Sequence, residues 1–568
     1  MSLRTSLPVL FTFTFVLAAC LSSPPPSPPP ANTPPSIVIG EDGPPLPTGD
    51  TALWIGWLTG PDSPNPRVAQ WSESFTIFDM VYSTLYRLQP DGSYIPDLAV
   101  SFEPSADQKT WTLKIRSGVT FHDGQPLTAR DVAFSLNLYG LFSEVIALDD
   151  LTVEIHLHDP IPNMIGHVIH YYILPQHKWA RYENAPETYD NLEMIGSGPF
   201  QMSTYAQETF VHLKAVENHY LFNPHIEDVI YLVYPDEIAL VDGLRAGDIQ
   251  LIFNLPYIEL ESLRNEPNIE VVTGLPMYPN FEEIIFNQIA PENCPKPLEG
   301  SVPFEGGICS GHPALRDRNV RLALAYATNK AKLIDEVLLG QGDPGVSIIP
   351  TGLESFYDPD LKDYGYDPGR ANQILDQAGY LDTDGDGVRE MPTSANGQPG
   401  RPLIFRFNYL GPSVFYTRLA EHMRLMWEDI GIALDIEEMD LETITYACCP
   451  AFDYDIIVWA WGVDPEPGFI FNVMDTALIP SGYNETGFSN PEYDILNAVQ
   501  HTEIDPAKRR EYVWQMQQII HDEVAQIVLF YAQSVGAYRS DQFTGWITDA
   551  PHLALEDFSS MIQVRPVK

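Results

Sequence analysis

Basic residues are scarce. Across 568 residues there are 31 Lys and Arg against 77 Asp and Glu, a formal net charge of −46. A field of that sign repels phosphate backbones, which argues against a nucleic-acid partner. Cysteine is scarce too, with five in all, and none of them stands in a CxxC spacing that would suggest a zinc or redox centre. After the first 19 residues no apolar run is long enough to span a bilayer. Catalytic signatures are missing as well: there is no GxSxG, no HExxH and no phosphate-binding glycine loop. Gly196-Ser-Gly-Pro sets its first glycine one position too close for a nucleophile elbow. A hydrolase built from dispersed residues is not excluded by this, since a triad leaves no local trace.

What is present describes a folded, secreted chain. A 44% hydrophobic and 11% aromatic composition supports packed cores, and the length calls for two or three lobes. The N-terminus opens with Arg4 as its one charge, continues through the apolar stretch Leu7–Leu17 and closes at Leu17-Ala-Ala-Cys20. That ending resembles the bacterial lipobox, in which the cysteine is lipidated and becomes the new N-terminus; the alternative is an ordinary signal peptide with an incidental cysteine. Residues 20–36 are proline-rich and predict a polyproline tether of roughly 3.1 Å per residue. The expected location is outside the cytoplasmic membrane, anchored through the lipid on Cys20, with folding from about Ile37.

Along the body, helical and strand patterns alternate. Phe75–Tyr86 has helical spacing. Trp111, Leu113 and Ile115 alternate with polar residues, as do Val153, Ile155 and Leu157, which predicts half-buried strands. Thr128 is placed to cap a helix starting at Ala129. His156 and His158 share the polar face of their strand, with His167 and His170 nearby; a solvated face explains them better than a metal site. Cys294 and Cys309 would close a short Pro- and Gly-rich loop as a disulfide, while Cys448 and Cys449 would bridge each other or pair elsewhere. Asp382, Asp384, Asp386 and Gly387 match the start of a calcium loop, but its twelfth position is Thr393, so a weak calcium site competes with a hydrated acidic turn.

One stretch stands out. Phe452–Phe469 begins with the apolar run Ile456-Ile-Val-Trp-Ala-Trp461, predicting a strand buried on both faces. It ends at Gly462 and a proline-punctuated turn carrying Asp464 and Glu466. Acids at the carboxyl end of a buried strand lie where open α/β sheets place ligands, although a solvated loop acid would look the same.

Several segments together resemble one family over nearly the whole chain beyond the tether. They are Val81-Tyr-Ser-Thr-Leu-Tyr-Arg-Leu88, Pro90-Asp-Gly-Ser-Tyr-Ile-Pro-Asp-Leu-Ala99, Trp111–Val132, Gly196-Ser-Gly-Pro-Phe200, Leu244-Arg-Ala-Gly-Asp248, Asn319–Tyr326 and Trp459-Ala-Trp-Gly-Val-Asp464. The family is that of the extracellular solute-binding proteins, family 5, the dipeptide- and oligopeptide-binding lipoproteins of ABC importers. The resemblance implies a two-lobed, hinge-bending α/β fold of the periplasmic-binding-protein type (cluster C), with an extra subdomain near 80–200. It places lobe I at 37–276 plus 528–568 and lobe II at 277–527. It further implies a monomer that traps a peptide between lobes and delivers it to a permease, without a cofactor. Asp464 would pair with the peptide's α-ammonium, Trp459, Trp461 and Gly462 would line the site, and Glu466 would share or replace Asp464. The strand near Glu283–Asn287 would read the peptide backbone. Relatives that take oligosaccharide, nickel or haem, or that serve as sensors, keep other ligands and roles open.

Overall fold

The structure, a computed structural model, describes residues 51–296, 307–393, 398–549 and 551–567. The expected leader, Cys20 and the proline tether lie outside the described residues.

Three sheets carry the architecture. The largest has eight strands in the order His552–Leu553, Ile269–Pro276, Ser534–Arg539, Leu251–Ile252, Ala52–Trp57, Asp228–Val233, Phe210–Ala215 and Phe200–Ala206. At its centre Ala52–Trp57 runs parallel to both Asp228–Val233 and Leu251–Ile252. A strand flanked on both edges and covered on both faces must be apolar throughout, and Leu53 and Ile55 are fully buried. The second sheet has six strands in the order Gly342–Pro344, Gln526–Ala532, Asn280–Phe286, Ile456–Gly462, Ile404–Leu410 and Ala433–Met439. Each of these sheets heads its own apolar core.

A four-stranded sheet, Ala99–Pro104, Thr110–Ile115, Thr152–His156 and Glu144–Ala147, forms a third core. It is built from the period-two segments: Trp111 faces Ile155 and Leu113 faces Val153 across the ladder. Helix Ala129–Tyr139 packs on it and starts where Thr128 predicts. The Thr128 hydroxyl accepts from Arg130 N at 3.3 Å, and Asp131 Oδ2 accepts from Thr128 N at 2.9 Å, so each satisfies an orphan donor of the other's segment.

The helix expected over Phe75–Tyr86 is shorter and earlier, Ser72–Val81, and Tyr82 leaves it in extended backbone. A distant partner overrides the local spacing here. Asp97 Oδ2 accepts from Thr84 N at 3.2 Å and from Arg87 Nε at 2.8 Å, both buried. Those contacts need Thr84–Leu88 extended rather than coiled. The helical stretch near Arg316–Leu339 divides in two, Arg318–Ala327 and Lys330–Glu336, with Asn329 capping the second.

Two short links join the large sheets. Ile269–Pro276 lies in the first and Asn280–Phe286 in the second; Gln526–Ala532 lies in the second and Ser534–Arg539 in the first. Two compact bodies joined by links of a few residues make a two-lobed α/β fold of the hinge-bending kind. Cys294 and Cys309 form a disulfide with Cα atoms 6.1 Å apart, and Cys448 and Cys449 are bonded to each other. No helix among the described residues is long and apolar enough to cross a membrane.

Candidate ligand-binding site

The strand Ile456–Gly462 has two halves. Ile456, Ile457 and Val458 pair with Asn280–Phe286 on one edge and with Phe407, Asn408 and Tyr409 on the other. They are buried, as a strand in mid-sheet must be. Beyond Val458 the second neighbour stops. Trp459–Gly462 keeps only its antiparallel partner; Trp459 and Trp461 are half-buried, and Ala460 and Gly462 are exposed. Burial on both faces, expected over the whole run, holds for its first half. The strand outlasts its neighbour and leaves a free edge, and a side chain added at Gly462 would meet open space.

That edge corrects a second expectation. Glu283–Ile285 lies between Ile456–Gly462 and Gln526–Ala532 in the sheet, so its main-chain groups are engaged on both sides. A ligand backbone cannot pair there. Among the described residues, the open edge at this end of the sheet is Trp459–Gly462.

The chain then turns. Val463 N donates to Pro279 O at 2.7 Å, which seats the turn against the link between lobes. Asp464 is half-exposed, and its Oδ1 lies 3.5 Å from His170 Nε2, just past helix Met164–Val168 of the other lobe. The His170 ring lies 6.1 Å from Tyr278, in the link itself. Asp79 completes this wall: it accepts from Tyr172 OH at 2.8 Å, and burial raises its carboxyl pKa against the pull of Arg87 and His170. Asp464 thus faces an aromatic, acid-bearing wall across the cleft.

Glu466, two residues on, is spent inside the protein. Arg509 grips it with both guanidinium arms, one at 3.0 Å and a second contact between Arg509 Nη2 and Glu466 Oε1. The same guanidinium donates to the Gln500 side chain and lies 5.2 Å over the Phe356 ring. A cavity of about 230 Å³ opens beside this pair, between Pro162 and Asn163 of one lobe and Phe356 and Ile504 of the other. A larger hollow of about 500 Å³ sits on helix Ala129–Tyr139, lined by no residue of the six-stranded-sheet lobe.

Trp459 and Trp461 project from one face of the strand, and both indole N–H groups donate to one oxygen, Glu485 Oε2, at 3.1 and 3.2 Å. Glu485 carries no sequence signal, and His170 stands out in the sequence only as a neighbour of the strand histidines, not as a partner of Asp464. Each meets its partner only through the fold. At the acidic turn, oxygens of Asp382, Asp384, Asp386 and Glu390 come within 4.8 Å of one another. Asp382 accepts from Gly385 N and Gly387 N, and Glu390 Oε2 accepts from Thr383, so the turn's own donors account for its shape. Among the described residues, no potential metal-ligand group of three or more includes a histidine.

Residues 93–477 match the bacterial extracellular solute-binding proteins, family 5 middle. The chain belongs to this family. It is 25% identical over 511 residues to the oligopeptide-binding protein AppA of Bacillus subtilis, covering 86% of each chain. The dipeptide-binding protein of Escherichia coli is 24% identical, with 80% of this chain and 84% of that one covered. Among solved structures, B. subtilis AppA in complex with a nonapeptide superposes with a TM-score of 0.76 at 23% identity, covering 91% of this chain and 99% of that one. NikZ of Campylobacter jejuni in complex with Ni(L-His) gives 0.75 at 20% identity over 91% and 100%. Such structural likeness establishes the fold, which this family 5 chain shares with binders of unlike ligands.

Proposed function

We propose that this family 5 protein captures peptides between its lobes and delivers them to the membrane subunits of an ABC importer. The carrying observation is Asp464, an acid at the cleft with His170, and no Lys or Arg, within 4 Å among the described residues. A peptide's α-ammonium supplies the missing cation with three donors. Glu466, already held by Arg509, leaves that task to Asp464. The free edge of Trp459–Gly462 offers main-chain groups to an extended ligand, as in strand addition. Contacts to both walls then favour the closed arrangement of the lobes. The names of the relatives, oligopeptide- and dipeptide-binding proteins, support the same ligand class. Lipidation at Cys20 holds the protein at the outer surface of the cytoplasmic membrane as a monomeric receptor, and its role is binding, not catalysis.

The test is to identify what co-purifies with the protein, by mass spectrometry after denaturation, and to titrate it into wild type and Asp464→Asn. Intact peptides that bind wild type and lose most affinity for the variant are expected. A bound sugar or metal complex, cleaved peptides, or equal affinity for the variant would overturn the reading.

A further inference from the structure

Behind the two indoles, the sheet carries a polar layer that the fold does not need. Glu283 stands opposite Trp459 in the antiparallel ladder. Gln526, on the strand along the other edge, pairs with Ile285, two residues on from Glu283 and therefore on the same face of the sheet. Glu485 comes from a loop and takes the two indole N–H groups. All three side chains are more than nine-tenths buried. Within the protein, Glu283 Oε2 and both polar atoms of Gln526 have no hydrogen-bond partner.

Burying such groups unpaired costs about 1–3 kcal/mol each, and more for a charge. Burial pushes the Glu485 carboxyl up to about 8 despite its two indole donors. It pushes Glu283 well up too, helped by the nearby charges of Glu485 and Glu282. Burial holds both acids toward their protonated form, so a cation admitted beside them and the orphan amide would take the place of a proton, and among the described residues neither acid is in an ion pair. The half-buried indoles of Trp459 and Trp461 stand between this set and the open strand edge.

We infer that Glu283, Glu485 and Gln526 form a cation-accepting subsite behind Trp459 and Trp461, one that selects ligands bearing a basic side chain. The inference rests on the peptide reading above and narrows its ligand class to peptides with lysine or arginine. The shared chemistry is a compact cation desolvated between two carboxyls, with the Gln526 carbonyl oxygen as a third acceptor. An inorganic monovalent cation could supply the same charge, so the test separates the two sources.

The test uses the purified full chain and short peptides of graded length, supplied in matched pairs that differ only by lysine against norleucine. Binding is measured by calorimetry in sodium chloride and, at equal ionic strength, in N-methylglucamine chloride. The lysine member is expected to bind at least about tenfold tighter, and Glu283→Gln to collapse that ratio. Glu485→Gln, which keeps an oxygen for the indoles, is the second variant should the first not fold, and is expected to collapse it too. Equal binding of both peptides, with sodium raising the melting temperature of wild type but not of Glu283→Gln, would assign the cation to the solvent and overturn the side-chain source. Equal binding with no sodium effect would overturn the subsite altogether. Should no peptide bind, the importer reading fails, while the sodium-dependent melting still reports on the subsite alone.

Discussion

The turn at Asp464 and the floor behind Trp459 and Trp461 are built from the same residue chemistry under opposite conditions. Asp464 keeps water and stands across a cleft from His170. Glu283 and Glu485, on the same lobe, are sealed from water, and burial raises both. Glu466 lies between these extremes, buried but matched by Arg509. The difference shows that an acid's role here follows from who solvates it. Water keeps Asp464 accessible, Arg509 pairs with Glu466 in place, and the floor acids have neither.

The sharpest way to break this comparison is to remove Arg509. It would leave Glu466 buried and unpaired, and breaking a buried pair costs about 3–5 kcal/mol. Arg509→Ala is therefore expected to lower urea-unfolding stability by that amount. A loss below about 1 kcal/mol would show that Glu466 finds water, and would return it to candidacy beside Asp464.

Asp464→Asn should do the reverse, sparing stability and damaging binding. A half-exposed acid changed to its isostere alters folding stability by no more than about 0.5 kcal/mol. Losing one partner of a desolvated ammonium pair costs about 2–5 kcal/mol of affinity. Calorimetry with the co-purified peptide, beside a thermal melt, reads both numbers. Peptide affinity unchanged in the variant would remove Asp464 from the site.

How much of this was legible from sequence depends on range. The cap made by Thr128 and Asp131 reaches only three residues along the chain, and Trp111, Leu113 and Ile115 alternate within one strand, so local chemistry announces both. The Trp459-Ala-Trp-Gly-Val-Asp464 segment marked the site through family resemblance. Its partners were silent: Glu485 meets the indoles 24 and 26 residues away in sequence, and Arg509 meets Glu466 across 43. The free edge of Trp459–Gly462 was equally hidden, because it depends on where Ile404–Leu410 stops pairing. The unbroken apolar run suggested full burial, and the sheet supplies it only as far as Val458. Arg87 and Asp97 likewise overrode the helical spacing before them, since a buried pair outweighs propensity.

The pH dependence of stability sharpens the floor's side of the comparison. Glu485, Glu282 and Glu556 are each raised to about 8, burial being the main cause. In the unfolded chain these acids ionise near the ordinary glutamate value, so between there and about 8 the folded state binds more protons. Stability from these groups must then fall as pH rises through that window, and flatten above it. Glu485→Gln should make urea-unfolding stability fall less steeply between pH 5 and pH 8, by up to about 4 kcal/mol over that span. An unchanged slope would mean that Glu485 is ionised in the folded protein.

The smallest effect belongs to His170, and it tests whether the cleft contact itself matters. Both His170 and Asp464 are more than a third exposed, and their separation of 3.5 Å is at the edge of a hydrogen bond. Pairs of this kind contribute about 0–1 kcal/mol. His170→Ala should therefore change peptide affinity by less than about fivefold, with no change in thermal stability. The direction carries the information. A modest gain in affinity would mean that His170 competes with the ligand's ammonium for Asp464, and a modest loss that it helps hold the carboxylate in place. A loss as large as that of Asp464→Asn would make the two a single unit, joined across the lobes, and would end the view that Asp464 acts alone.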